Sequence, residues 1–260
     1  MKISIIGGGN MGGAIALGLA DGNKIKASDI TVINRTREKT QLLINKNSNI
    51  NAVTGDYSSL KDADVIILGV KPWMIEDVLK TNKDSFSSDQ IIISVAAKIS
   101  LQQLSEWTTP ETPVFRMVPN TAIAVKQSMT FISSYNTTKE QNQLIADMFD
   151  ELGKTMFIDE KLIPAVTSLS SCGIAFAFRY IRAAMEGGIE MGVYPDQAKH
   201  IIAQTLRGAI ELLEINDSHP EAEIDKVTTP GGITIKGINE MEHAGFTAAV
   251  IKGLKASFVE

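Results

Sequence analysis

The stretch Met1 to Gly13, MKISIIGGGNMGG, narrows what this chain can fold into more than any other. Ile3, Ile5 and Ile6 make a β-branched run interrupted only by the small Ser4, which suits a strand buried on both faces of a parallel sheet. Gly7, Gly9 and Gly12 come next in the G-x-G-x-x-G spacing, and Ala14, Ile15, Leu17 and Leu19 continue with helical periodicity to Gly22. Strand, tight turn and helix in this order are the makings of a dinucleotide site. One glycine permits the sharp turn, the second lets the backbone approach a pyrophosphate, and the third lets the helix pack on its strand. The pyrophosphate would rest on unpaired N–H groups at the helix start, where the dipole favours negative charge. Gly7, Gly8, Gly9, Asn10 and Met11 are expected to cradle it. The plainer alternative is a glycine-rich turn in an ordinary α/β domain.

Strand and helix signals then alternate along the chain. Ile30 to Ile33 reads as a second strand ending in Asn34-Arg35-Thr36-Arg37, where a site for NAD would carry Asp or Glu to hold the ribose 2′-OH. Asn34, Arg35 and Thr36 instead suit a 2′-phosphate, so NADP is expected, NADPH being preferred with NADH as a second option. A polar loop capping the next helix, Glu38 to Asn45, is the bland reading. Ala52-Val53, Val65 to Val70, Ile91 to Val95 and Val114 to Val118 read as further strands, with Met129 to Ser133 and Thr155 to Ile158 after them. Thr138 and Gln141 have capping-box spacing at the start of a helix between the last two. The loop at the end of Val65 to Val70, with Gly69, Val70, Lys71 and Pro72, lies where ligands bind in open sheets and is a candidate cofactor wall. The fold class expected is α/β: a Rossmann-like, doubly wound, mostly parallel sheet over residues 1–160, then an all-helical domain over residues 161–260.

Of the 260 residues, 44% are hydrophobic and 21% charged, with a net charge of −5. No basic run offers a footprint for nucleic acid, and no apolar stretch approaches the roughly 18 to 20 residues of a membrane span. The N-terminus lacks a charged region followed by a cleavage site, so a cytoplasmic protein is expected. Cys172 is the one cysteine, and His200, His219 and His243 have no metal-ligand spacing, so no metal site is expected. The segment Ile174 to Met191 is apolar on more than one face, which a domain of a hundred residues cannot cover alone. Subunit association is therefore expected, most simply as a two-fold dimer, with a central helix of a monomeric bundle as the alternative.

The second informative stretch is Val227 to Glu240, VTTPGGITIKGINE. Hydroxyls and glycines ahead of a helix beginning at Ile233 again present unpaired N–H groups, suited to a small anion such as a carboxylate, and Thr234 would reach the same place from the first turn. An N-cap with a glycine turn explains the same residues without a ligand.

Five segments together resemble the pyrroline-5-carboxylate reductase family: IIGGGNMGGAIA at the N-terminus, LGVKP at Leu68 to Pro72, SVAA at Ser94 to Ala97, VPNT at Val118 to Thr121, and TTPGGITIKGI at Thr228 to Ile238. The resemblance covers essentially the whole chain. It implies NAD(P)H-dependent reduction of L-1-pyrroline-5-carboxylate to L-proline, a substrate carboxylate held by Thr229, Gly231, Gly232 and Ile233, and Thr234 at the reacting imine. It also implies cofactor contacts at Ile6, Ala96 and Asn120 besides those above, and a homodimer whose helical domains intertwine, extended to a decamer. The chain departs from the family at Ser171, Cys172 and Ile174, where glycine, serine and proline are usual, and at Ala122, which bears on the shape of the ring pocket. The chemistry favours an imine independently. A ketone reductase of related fold places a lysine on the first long helix of its second domain as general acid, and Ser170 to Phe176 contains none. A reductase of another small cyclic imino acid, a hydroxyacid dehydrogenase and a non-catalytic NADP-binding regulator are the competing readings.

Overall fold

The computed structural model describes residues 1–259, which pack as two units divided between Ser171 and Cys172. The first unit alternates strand and helix. In order it has β1 (Ile3–Ile6), α1 (Asn10–Ala20), β2 (Ile30–Asn34), α2 (Arg37–Lys46), β3 (Asn51–Thr54), β4 (Val65–Leu68) and α3 (Ile75–Thr81). Then come β5 (Ile91–Ser94), α4 (Leu101–Trp107), β6 (Val114–Val118), β7 (Ser128–Tyr135), α5 (Lys139–Phe149) and β8 (Gly153–Phe157).

The strands form one sheet in the order β3-β2-β1-β4-β5-β6-β7-β8. Every pairing is parallel except β6 with β7. The order reverses direction between β1 and β4, the switch point at whose carboxyl end ligands bind in doubly wound sheets. The β-branched runs explain why the sheet is buried on both sides. Ile5, Ile67 and Ile93 face one core with α1 and α5, while Ile6, Ile66, Leu68 and Ile92 face a second core with α3 and α4. The capping box expected at Thr138 and Gln141 forms at α5, and a second, Ser100 with Gln103, caps α4. The doubly wound, mostly parallel fold expected from the sequence is the one observed.

Beyond β8 the chain is helical: α6 (Ile163–Val166), a π-helical turn (Thr167–Cys172), α7 (Gly173–Glu190), α8 (Pro195–Asn216), α9 (Pro220–Val227), α10 (Ile233–His243) and α11 (Phe246–Ser257). The sequence puts the domain boundary at residue 160, whereas packing divides the chain eleven residues later. The reason is local. Ser170 accepts a hydrogen bond from Asn120 Nδ2 at 3.0 Å, and the Ser171 hydroxyl donates to the Pro119 carbonyl at 3.2 Å, tying this turn to the first unit. Thr167 and Ser168 bond back to the carbonyls of Ile163 and Pro164, the side-chain competition that loosens an α-helical ladder. The π-turn keeps the helix continuous, and this corrects one expectation. Glu160–Glu190 is a single helical run of 31 residues, with a mean hydropathy of 1.4 over its most apolar 18 residues, long and apolar enough by length and composition to cross a membrane. Its length is hidden in the sequence because the run Thr167 to Cys172 looks like a break.

Among its described residues the second unit buries only Gly188 and Ala198. Phe178 is 62% exposed and Ile215 76%. A fold with so little interior cannot hold itself together by burial, so these helices present surface that something else must cover.

Glu160 roots the helical run to the sheet. Its Oε1 accepts from Arg116 Nη1 at 2.7 Å and from the Leu101 N–H, the first of α4, at 2.8 Å. The Arg116 side chain is 14% exposed, and its Nε is buried without a partner. Glu160→Ala would leave a largely buried guanidinium unpaired and α4 without this acceptor, so it should lower unfolding stability by about 2 to 3 kcal/mol. Urea unfolding monitored by circular dichroism measures this, and an unchanged midpoint would contradict it.

Candidate active site

The glycine turn is built by contacts that no side chain could share. Gly7 has φ +101°, and a Cβ there would stand 2.9 Å from the Gly69 carbonyl carbon and from Val70 Cγ1. A Cβ on Gly12 would stand 2.1 Å from the Gly7 carbonyl oxygen. These two glycines are explained by the protein itself. Gly9 is not: its φ of −75° is open to any residue, and a Cβ there would meet nothing within 4 Å. It N-caps α1 without a side-chain cap, so no side chain takes up the first-turn N–H groups of α1. Where the chain gives no reason for a glycine, the room it leaves suits a ligand backbone such as a pyrophosphate.

Asn34 is placed differently from expectation. Anticipated to face a 2′-phosphate, it is 2% exposed, and its Oδ1 accepts from the Gly8 N–H at 3.0 Å. It sits under the glycine turn because β2 ends directly beside β1, and its Nδ2 is buried without a partner. The residue holds the turn from below. Arg35 and Thr36 are exposed on the rim above, as is Arg37, a second cation that the Arg-Thr-Arg spacing makes legible. Neither arginine has an ion pair among the described residues. Thr36 N-caps α2, and its hydroxyl makes no cap bond. Two cations, a free hydroxyl and a helix start match the needs of a 2′-phosphate. Asp56, just beyond β3 on the same rim, accepts from the Ser58 N–H at 2.9 Å; that bond, with the Ser58 hydroxyl, holds its carboxyl below the usual range, so one fixed negative charge tempers the cluster.

The other expected cofactor positions divide. Gly69, Val70, Lys71 and Pro72 line the end of β4 beside Gly7, with Lys71 exposed. Ile6, at the end of β1, is 1% exposed and Ala96, two residues beyond β5, 7%, so each would offer a ligand main chain and not side chain. Asn120 is occupied internally: Oδ1 accepts from the Ala122 N–H, Nδ2 donates to Ser170, and its own N–H donates to Ser128.

In the second unit, Thr229 and Gly232 close a turn before α10. The Gly232 N–H donates to the Thr229 carbonyl at 2.9 Å, and a Cβ on Gly232 would stand 2.6 Å from Thr229 Oγ1. Gly231 has φ +71°. The first turn of α10 has no side-chain cap, Ile233 is 87% exposed, and the exposed Thr234 hydroxyl has no partner among the described residues. All five expected substrate residues therefore lie together at a helix start, Thr229 and Gly232 bonded to each other and Ile233 and Thr234 exposed. Among the described residues no cluster of His, Cys, Asp or Glu could hold a metal ion.

Comparison with known proteins matches both units. Residues 160–260 fit a family profile described as pyrroline-5-carboxylate reductase dimerisation, and residues 2–98 one described as NADP oxidoreductase, coenzyme F420-dependent. The chain is 38% identical to pyrroline-5-carboxylate reductase 2 of Dictyostelium discoideum, over 98% of this chain and 90% of that one. It is 37% identical to pyrroline-5-carboxylate reductase 1 of the same organism over 98% of this chain, but spans only 48% of that relative's length. Among solved structures it is similar to Plasmodium falciparum pyrroline carboxylate reductase with NADP bound, with a TM-score of 0.88 at 26% identity, covering 99% of this chain and 95% of that one.

The two kinds of glycine separate experimentally. Gly9→Ala should fold with a melting temperature within about 2 °C of the parent, since nothing crowds its methyl group, yet weaken NADPH binding at least tenfold by filling the ligand's space. Gly12→Ala should be destabilised instead. Calorimetric titration beside thermal unfolding tests both, and full NADPH affinity in Gly9→Ala would contradict the cradle.

Proposed function

The chain belongs to the pyrroline-5-carboxylate reductase family, and from that premise we propose that it reduces L-1-pyrroline-5-carboxylate to L-proline with NADPH, the last step of proline synthesis. The observation that carries this reading is the extent of the match. Relatives of that name align over 98% of the chain, so the glycine turn and the turn before α10 both fall within it. When bound, NADPH supplies the hydride.

The chain's own residues have three tasks. Gly7 to Met11 and the start of α1 hold the pyrophosphate, with Asn34 fixing the turn from beneath, while Arg35, Thr36 and Arg37 take the 2′-phosphate. Gly69 to Pro72 flank the cofactor. The N–H groups of Gly231, Ile233 and Thr234 take the substrate carboxylate, the Gly232 N–H closing the turn onto Thr229, and the Thr234 hydroxyl oxygen accepts from the protonated imine nitrogen. No side chain from Thr228 to Ile235 ionises. None is needed, because a protonated imine that receives hydride becomes a neutral amine and leaves no alkoxide to protonate.

The same reading gives a homodimer through residues 160–260, supported by the dimerisation profile and by the exposed apolar surface of those helices. It treats the apolar face of Glu160–Glu190 as protein interface and not as lipid contact. A decamer is the proposed extension of the dimer, the cytoplasm the proposed location, and a small molecule the proposed partner. The net charge of −5 supports the absence of a nucleic-acid partner.

Monitored by NADPH absorbance, purified protein should turn over L-1-pyrroline-5-carboxylate faster than a six-membered cyclic imine and leave a 2-oxo acid untouched. Preference for the 2-oxo acid would overturn the reading. Thr234→Ala should lower kcat about 10- to 100-fold, the loss of one hydrogen bond to a charged group, with NADPH affinity within about threefold. Arg35→Ala should raise the KM for NADPH about tenfold while barely changing that for NADH. Equal losses for both cofactors would remove Arg35 from the 2′-phosphate site.

A further inference from the structure

Trp73 is the most exposed large apolar side chain of the first unit, at 78%, and nothing in the fold accounts for it. It makes no ring contact among the described residues. It also does not sit on a loose loop. Pro72, Trp73 and Met74 form a 3-10 turn closed by the Met74 N–H donating to the Lys71 carbonyl at 2.9 Å, with proline at its first position. The turn runs directly into α3, whose Ile75, Val78 and Leu79 are buried with Ile6 and Ile33. The indole thus projects into water from a turn fixed on a well-packed helix.

Its place in the sheet gives the exposure a use. β4 lies beside β1, and β1 beside β2, so the rim at their carboxyl ends carries Lys71 to Trp73, then Gly7 to Gly9, then Arg35 to Arg37. Two strand spacings put the ends of β2 and β4 about 10 Å apart, the width of a crevice that takes a flat ring edge-on. Arg35 and Arg37 follow β2 on one side of β1 and Trp73 follows β4 on the other. In a 2′-phosphorylated adenosine the base is joined to the same ribose that bears the phosphate.

Resting on the NADP reading above, we propose that Trp73 is the stacking wall for the adenine of the cofactor, giving the adenosine end a planar apolar contact besides its charge contacts. A purine on an indole face removes apolar area of both from water, and such stacking is sequence-tolerant and strong for its size. Trp107, the second tryptophan, is partly buried against the same core as α3 and serves as an internal reference.

The experiment is a fluorescence titration of the full-length protein, excited at the tryptophan band, with NADP+, adenosine 2′,5′-bisphosphate and nicotinamide mononucleotide. NADP+ and the bisphosphate should quench emission saturably, and the mononucleotide should not. Quenching should persist in Trp107→Phe and vanish in Trp73→Ala. Calorimetry should show Trp73→Ala binding NADP+ about tenfold or more weakly, the range of one stacked base, with Trp73→Phe recovering most of the loss. Unchanged affinity in Trp73→Ala, with the wild type binding normally, would overturn the proposal while leaving the cofactor reading intact. If that variant instead alters sedimentation, Trp73 belongs to a contact between chains and the proposal is likewise overturned. A wild-type protein that binds NADPH and NADP+ not at all would overturn both.

Discussion

Three main-chain segments meet at the carboxyl end of β1 more closely than side chains would permit, and the site depends on that meeting. The Gly7 carbonyl lies where a Cβ of Gly12 or of Gly69 would have to be, so β1, the start of α1 and the end of β4 are locked together by the absence of side chains. Close approach brings the first N–H groups of α1 to the sheet's switch point, where a helix start can receive an anion. Asn34 completes the lock from β2, its carbonyl oxygen taking the Gly8 N–H. The rim cations and the β4 turn are arranged around that fixed point.

Much of this was legible in the residues. Apolar runs marked seven strands to within a few positions and the eighth, Asn51–Thr54, through its central pair; in β1, β4 and β5 burial on both faces leaves an unbroken apolar signal. Val114–Val118 was readable to the residue, since Pro113 and Pro119 bracket it. The capping box at Thr138 was visible for the same kind of reason, a spacing that has one local use. What escaped depended on tertiary placement. Asn34 looks like a ligand by its position at the end of β2, and only the neighbouring strand shows that its side chain turns inward. The stretch Thr167 to Cys172 looks like a break, and only its back-bonded hydroxyls show a π-turn that carries the helix through. Trp73 had no periodicity to announce it.

The helical unit obeys a different logic from the sheet. Its apolar residues are spaced for burial, yet only Gly188 and Ala198 are buried among those described, so the pattern specifies a surface for another chain and not an interior. Helix length points the same way: α7 and α8, of 18 and 22 residues, pack side by side and leave much of their outer faces apolar. The dimerisation profile matched by residues 160–260 supports dimer formation through that surface. Within the unit, the turn before α10 ties the Gly232 N–H to the Thr229 carbonyl and leaves the exposed hydroxyls of Thr229 and Thr234 without a partner among the described residues, open to a polar ligand.

One chain thus carries two helix starts suited to anions, and on the function proposed above the first takes the reductant and the second a small carboxylate, with the Thr234 hydroxyl at the reacting imine. The central claim is hydride transfer to an imine carbon. The most direct measurement is mass spectrometry of the product formed from L-1-pyrroline-5-carboxylate in the presence of NADPH deuterated at both C4 positions. The predicted product is L-proline carrying one deuterium, at the former imine carbon. Product without deuterium, or no proline despite saturating NADPH, would contradict it.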